Sequence, residues 1–125
     1  MRAHIKSLHS PDTLDLASYV PEVADDFSVL VQLMVAPAGS DGAESFDVEV
    51  VTPARLMKRV AEHGPRSGRH MLIVSGFDYP TIRRWFERQV ARCEGEDWDA
   101  VAAQLGRIGL WEFEDYQSRG AGTES

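Results

Sequence analysis

The chain has 125 residues, of which 43% are hydrophobic and 26% charged, and its formal net charge is −7 at pH 7. This is the size and composition of one globular domain, and the apolar runs are far shorter than the roughly 20 residues that span a membrane. The acidic balance disfavours nucleic acid as a partner, because contacts with phosphates supply most of the non-specific affinity for DNA and RNA.

The first half of the chain predicts three strands. Residues 3–9 (AHIKSLH) form a short strand, and residues 10–27 are an acidic connection with two prolines and room for one helical turn. Ser28–Ala36 (SVLVQLMVA) is rich in β-branched and aliphatic residues, which favours a central strand. Residues 37–44 have the glycine and proline content of a hairpin loop. Residues 45–51 (SFDVEVV) alternate apolar and acidic side chains, which predicts a strand with one buried face.

The second half predicts helices with one further strand between them. Thr52–Pro53 is a helix start, since threonine accepts hydrogen bonds from free N–H groups and proline fits the first helical position. Apolar residues then recur at helical spacing and are expected to face the core: Leu56, Met57, Val60 and Ala61. Residues 69–76 predict a strand, residues 78–95 a second helix, and the residues after Asp97 a third.

The stretch RIGLWEFEDY (107–116) predicts a terminal strand, because aromatic and acidic side chains alternate in it. Trp111 and Phe113 are expected to face the core, and Glu112 and Glu114 the solvent. The element order is then β-β-β-α-β-α-α-β. It predicts an α+β fold, with an antiparallel sheet of about four to five strands and helices packed on one face. We expect one domain over residues 1–116 and a flexible tail over residues 117–125.

The sequence contains no arrangement of residues that is typical of a catalytic, metal or phosphate-binding site. His4 and His9 are five residues apart on a strand and point to opposite faces, so no metal site is predicted. Cys93 lies beside Glu94 and Glu96, which disfavour a reactive thiolate. The carboxylate pairs lie in solvated runs, and no phosphate-binding glycine loop is present. We therefore expect no enzyme and no cofactor.

Charge is distributed unevenly along the chain. Residues 55–92 hold nine Arg and Lys against three Asp and Glu, whereas the segments on both sides are strongly acidic. A net negative field favours a cationic partner, whose approach it would steer. The alternative is that the acidic surface serves solubility alone. Since the first ten residues lack a signal-peptide core and the chain has a single cysteine, a cytoplasmic protein is expected.

Four stretches together resemble the immunity protein 8 family of bacterial polymorphic toxin systems. They are KSLHSPD (6–12), ESFDVEVVTPARL (44–56), GRHMLIV (68–74) and CEGEDWDAVAAQLGRIGLWEFEDY (93–116). The resemblance implies a single α+β domain that binds and neutralises a cognate protein toxin encoded by an adjacent gene, without chemistry of its own. No toxin-contact residue is carried over from the family, and the oligomeric state stays open.

The sheet face turned away from the helices is the candidate toxin contact. If Phe46, Val48 and Trp111 point toward the helices, the other face presents five acidic or aromatic side chains: Asp47, Glu49, Glu112, Glu114 and Tyr116. The alternative is that these carboxylates pair with Arg55, Arg107 or other arginines of the same chain.

Two other functions stay open at this point. One is an interaction module outside immunity, for example a subunit that uses its arginine-rich helix for self-association. The other is a small enzyme with an unrecognised site, which would need His70, Cys93 and a carboxylate to converge in a buried pocket.

Overall fold

The computed structural model describes residues 1–113. Its elements follow the predicted order: β1 (Ala3–His9), β2 (Ser28–Pro37), β3 (Glu44–Val51), α1 (Pro53–His63), β4 (Met71–Ile73), α2 (Tyr79–Ala91), α3 (Trp98–Leu105) and β5 (Leu110–Trp111). A 3-10 turn at Leu16–Ser18 is the one helical turn expected in the long acidic connection. Within these residues, no helix has the length and apolar character needed to cross a bilayer.

The five strands form one sheet in an α+β arrangement, as predicted. Strands β1, β2 and β3 follow one another as antiparallel neighbours. Strand β5 pairs with β3 antiparallel, at the end of β3 that begins the strand, whereas β4 pairs with the other end of β3 in parallel. The parallel pairing arises because α1 carries the chain back before β4 begins, as a crossover helix does.

Helices α2 and α3 cover one face of the sheet. Alternate residues of β2 and β3 are buried there, and the two helices contribute Phe86 and Leu105 among others. Burying each such aliphatic or aromatic side chain stabilises the fold by about 1.5–3 kcal/mol. The core therefore lies between the sheet and these two helices, and the opposite face is left without them.

Helix α1 does not bury its apolar stripe, and the expectation that this stripe faces the core is wrong. The helix begins as predicted, with Thr52 Oγ1 accepting a hydrogen bond from the Arg55 N–H and proline at the first position. None of its residues is buried, and Met57 is 74% exposed. On its polar side, Arg59 contacts Glu49 of β3 at 2.6 Å.

Within the described residues the last strand covers Leu110–Trp111, which pair with Asp47 and Phe46 of β3. Trp111 stacks on Phe46 with ring centroids 6.2 Å apart. Phe113 is 40% exposed and contacts Trp111 edge-on, so its expected place in the core is wrong. The predicted positions of Glu114 and Tyr116, and the predicted tail at 117–125, lie outside the described residues.

A glycine determines how closely β5 approaches β3. A Cβ at Gly109 would lie 2.9 Å from the Val48 Cγ2 and 3.1 Å from the Asp47 carbonyl oxygen, closer than real Cβ atoms normally come. Because residue 109 is glycine, Leu110 can lie directly opposite Asp47.

Candidate protein-binding site

The sheet face that α2 and α3 leave uncovered carries a mixed set of side chains. Along β2 and β3 the residues between the buried ones are only half-buried. Cross-strand pairing places Leu30 beside Glu49, and Gln32 beside Asp47. We call this the open face; its members on four strands are Leu30, Gln32, Met34, Asp47, Glu49, Met71, Ile73 and Leu110, and Glu112 beside Ser45 extends it past the end of β5.

A groove of about 500 Å³ crosses the open face. Asp47 and Glu49 line it together with the apolar side chains of Leu30, Met71 and Leu110. Its other wall is the connection between α1 and β4, residues 65–70. The two acidic residues that alternation predicted for the exposed side of β3 therefore meet in one concave site.

The wall of the groove is held in place by His70. This residue has a positive φ of 61°, its carbonyl accepts a hydrogen bond from the Glu49 N–H at 3.0 Å, and its Nε2 lies 2.8 Å from the Gly106 carbonyl oxygen. A non-glycine residue in this conformation is uncommon and needs support from surrounding contacts. The ring and backbone of His70 thus link the groove wall to β3 and to the end of α3.

Glu49 is neutralised within the chain. Its Oε2 forms an ion pair with the Arg59 guanidinium, with an N···O distance of 2.6 Å, and accepts a hydrogen bond from the Ser28 hydroxyl. Partial burial favours the neutral form of Glu49, but these two hydrogen bonds outweigh burial and lower the pKa. The alternative that the carboxylates pair with arginines of the same chain therefore holds for Glu49, with Arg59 as the partner rather than Arg55 or Arg107.

Asp47, unlike Glu49, has no basic side chain bound to it in the described residues. Its Oδ1 is buried and has no hydrogen-bond partner among residues 1–113. Burial raises the pKa of this carboxyl, and the nearby negative charge of Glu112 raises it further, against a hydrogen bond from Gln32 that lowers it. Asp47 thus forms no ion pair in the described part of the chain, although Arg66 and Arg69 line the same groove.

Glu112 lies beside the edge of β3. Its N–H donates to the Ser45 carbonyl at 3.0 Å, and its Oε1 accepts from the Ser45 N–H at 2.6 Å. The residue is exposed and forms no ion pair in the described residues. Three of the five predicted contact residues, Asp47, Glu49 and Glu112, are therefore placed close together, and the other two lie beyond residue 113.

The residues considered for catalysis do not converge. His4, His9 and His63 are exposed. Cys93 is buried, donates to the Gln89 carbonyl at 3.5 Å, and has a pKa raised by burial. Cys93 is not among the residues that line the groove with His70. Across residues 1–113 no group of three or more His, Cys, Asp and Glu side chains is arranged to hold a metal ion.

A second surface was missed by reasoning from the sequence. The apolar stripe of α1 (Leu56, Met57, Val60 and Ala61) lies on the outside of the molecule, opposite the side that carries Arg59. The signal in the sequence was the basic side of this helix, since Arg55 and Lys58 both bind Asp26, and Arg59 binds Glu49. Those ion pairs tie the polar side of α1 to Asp26 and β3, while Met57 and Val60 of the stripe stay exposed.

The chain matches a known protein family. A family model described as Immunity protein 8 matches residues 3–116 of the chain. No curated protein and no solved structure matches it.

Proposed function

The chain belongs to the immunity protein 8 family, and on this premise we propose that it binds a cognate toxin of a bacterial polymorphic toxin system and neutralises it by covering the toxin's working surface. The proposal places the protein in the cytoplasm of the producing cell, takes the toxin to be encoded by the adjacent gene, and assigns the protein no chemistry of its own. Residues 1–116 act in it as a single binding domain.

One observation carries the choice of surface: the open face has acidic side chains next to partly exposed apolar ones. Asp47, Glu49 and Glu112 lie there, with Leu110 43% exposed and Ile73 55% exposed. Interfaces of high affinity combine a desolvated apolar centre with charged residues that guide association. The open face offers both, and the proposal extends it to Glu114 and Tyr116 further along the chain.

The proposed partner surface is cationic. A chain of net charge −7 attracts a basic surface over a distance of several ångströms, which raises the rate of encounter. Charge alone does not supply the roughly −12 kcal/mol of nanomolar binding, so the apolar members of the open face would supply the rest.

Co-expression with the product of the adjacent gene tests the function. Cells that express the neighbouring toxin domain are expected to grow only when this chain is also expressed, and the two purified proteins should form a complex. Failure to protect the cells, or turnover of a metabolite by the purified chain, would contradict the proposal.

The charge-reversal variant Glu112→Lys tests the surface. We expect it to slow association with the toxin by about tenfold, since an encounter rate depends on charges at the contact. The matched control is Glu87→Lys on α2, which changes the net charge equally on the side of the sheet that the helices cover. Equal association rates for the two variants would remove the open face from consideration, and circular dichroism checks that both are folded.

A further inference from the structure

Helix α1 leaves its apolar stripe without cover in the described part of the chain. Met57 is 74% exposed, Val60 is 44% exposed and Ala61 is exposed, and none of the 11 residues of α1 is buried. An amphipathic helix at a protein surface normally buries its apolar side against the core of its own domain. The stripe is therefore an apolar surface that the fold of residues 1–113 does not use.

The position of α1 places this stripe beside the open face. Arg59, on the other side of the helix, is paired with Glu49, which belongs to the open face. Gly64 caps the end of the helix, and the next two residues, Pro65 and Arg66, line the groove that crosses the open face. A macromolecule that covers the open face therefore meets α1 as well.

The charges of α1 are balanced where they stand. Arg55 and Lys58 both bind Asp26, and Arg59 binds Glu49. With the one glutamate of the helix itself, three basic side chains stand against three carboxylates. The stripe thus suits a partner surface that is apolar, and it adds little to attraction at a distance.

A second copy of this chain fits the stripe less well than a different protein does. The 11 residues of α1 rise about 16 Å, and a helix with its side chains is about 10 Å across, so the stripe covers on the order of 160 Å². Stable complexes bury about 800 Å² on each partner, so the stripe holds a partner only as part of a wider contact. Two copies would each bring a net charge of −7 to that contact, which like-charge repulsion opposes.

We propose that the stripe of α1 is the apolar anchor of the toxin interface, and that the toxin receives it in an apolar groove next to the surface that covers the open face. This inference rests on the proposed function and adds a second contact to it. Helices that bind in hydrophobic grooves use side chains at positions i, i+3 and i+4, which is the spacing of Met57, Val60 and Ala61. Because the stripe contributes little charge, it acts on dissociation rather than on the rate of encounter.

The test is binding of the purified toxin domain to the double variant Met57→Gln with Val60→Gln, measured by biolayer interferometry against the parent chain. Glutamine removes apolar surface and is a good helix former. We expect affinity to fall by about 30-fold or more through faster dissociation, with an association rate within about twofold of the parent's at every salt concentration. The matched control, Leu14→Gln with Val20→Gln, changes two exposed apolar residues on either side of the 3-10 turn beside α2, and should alter affinity less than about threefold.

Hydrogen exchange on the parent chain gives a readout that needs no variant. Addition of the toxin should slow exchange of the amides of residues 53–63, because a covered helix opens less often. Unchanged exchange in α1 within a complex that forms would overturn the inference.

The remaining outcomes separate the inference from its alternatives. If the parent chain binds the toxin and the double variant binds within about threefold of it, the anchor is wrong while the proposed function stands; if the parent chain does not bind, the proposed function itself fails. Dimers of the parent chain in sedimentation velocity that the double variant abolishes would assign the stripe to a second copy and overturn the inference. A thermal unfolding midpoint of the double variant lowered by more than a few degrees would overturn it too, since the chain itself would then cover the stripe.

Discussion

Three carboxylates that the sequence predicts to be solvent-exposed, Asp26, Asp47 and Glu49, have different pKa shifts in the folded protein. Asp26 and Glu49 each receive basic side chains of α1, and the pKa of each is lowered. Asp47, two residues from Glu49 on the same strand, has a raised pKa because burial is not compensated. A lowered pKa means that the ionised carboxylate stabilises the fold, and a raised pKa means that it opposes folding. Among these residues Asp47 is the one held at a cost.

Replacing Asp26 tests whether a carboxylate with a lowered pKa stabilises the fold. Asp26→Asn removes the acceptor of Arg55 and Lys58 and should lower the thermal unfolding midpoint at pH 7 by a few degrees at most. Because the pKa of Asp26 is lowered in the folded state, its contribution is complete above the unfolded-state pKa of about 4 and is lost as pH falls through the folded value. The difference between parent and variant should therefore shrink as the pH falls below the unfolded-state pKa of about 4, as followed by circular dichroism.

The neighbouring Asp25 provides the control for this measurement. It is exposed and forms no ion pair within residues 1–113, so Asp25→Asn changes the net charge equally without removing a pair. A shift of the same size and pH dependence in both variants would show that net charge, not pairing with α1, sets the stability.

At the scale of elements, α1 shows what periodicity can and cannot predict. The spacing of its apolar residues and the caps at Thr52 and Gly64 gave the helix bounds correctly. Periodicity identifies the apolar side of a helix, but it does not say whether another element lies against that side. Here the ion pairs of Arg55, Lys58 and Arg59 hold the polar side against the protein, which is a tertiary effect that no local pattern contains.

In the strands, too, the sequence pattern predicts some features and not those that depend on tertiary contacts. Alternation in β3 correctly separated the buried Phe46 from the half-buried Asp47, and so identified the sheet face that we propose as the contact. The same alternation continues past Trp111, where the Glu112 N–H still donates to the Ser45 carbonyl of β3, but Phe113 is 40% exposed. That Asp47 forms no ion pair within residues 1–113 was not predictable, since it depends on which arginine reaches which carboxylate.

Two valines in helices test the orientation of α1. Val60 is 44% exposed on α1 and Val90 is 1% exposed on α2. Val90→Ala should lower the free energy of unfolding by about 2 kcal/mol, through lost burial and the cavity left behind. Val60→Ala should leave it within about 0.5 kcal/mol, because little burial is lost and alanine favours the helix. Chemical denaturation measures both, and an equal loss at the two sites would mean that the stripe of α1 is covered in solution.

At the scale of the whole molecule, the basic middle of the chain neutralises part of the acidic segments. Arg55 and Lys58 bind Asp26, Arg59 binds Glu49, and across the chain Arg2 binds Glu94. The basic block at 55–92 thereby helps to hold the fold, while Asp47 and Glu112 on the open face form no ion pair within residues 1–113. Part of the net charge of −7 therefore lies at the proposed contact, and the rest is spread over the general surface.

This distribution predicts how salt should act on binding. Raising NaCl from about 0.05 M to about 0.5 M shortens the screening length from roughly 14 Å to roughly 4 Å, so attraction at a distance weakens while contacts already formed are less affected. We expect the association rate with the toxin to fall by about tenfold or more and the dissociation rate to change much less, as stopped-flow and interferometry would measure. The salt dependence should be weaker for Glu112→Lys than for Glu87→Lys, since only the former removes charge from the open face. An association rate independent of salt would mean that the acidic surface serves solubility alone, which was the alternative left open by composition.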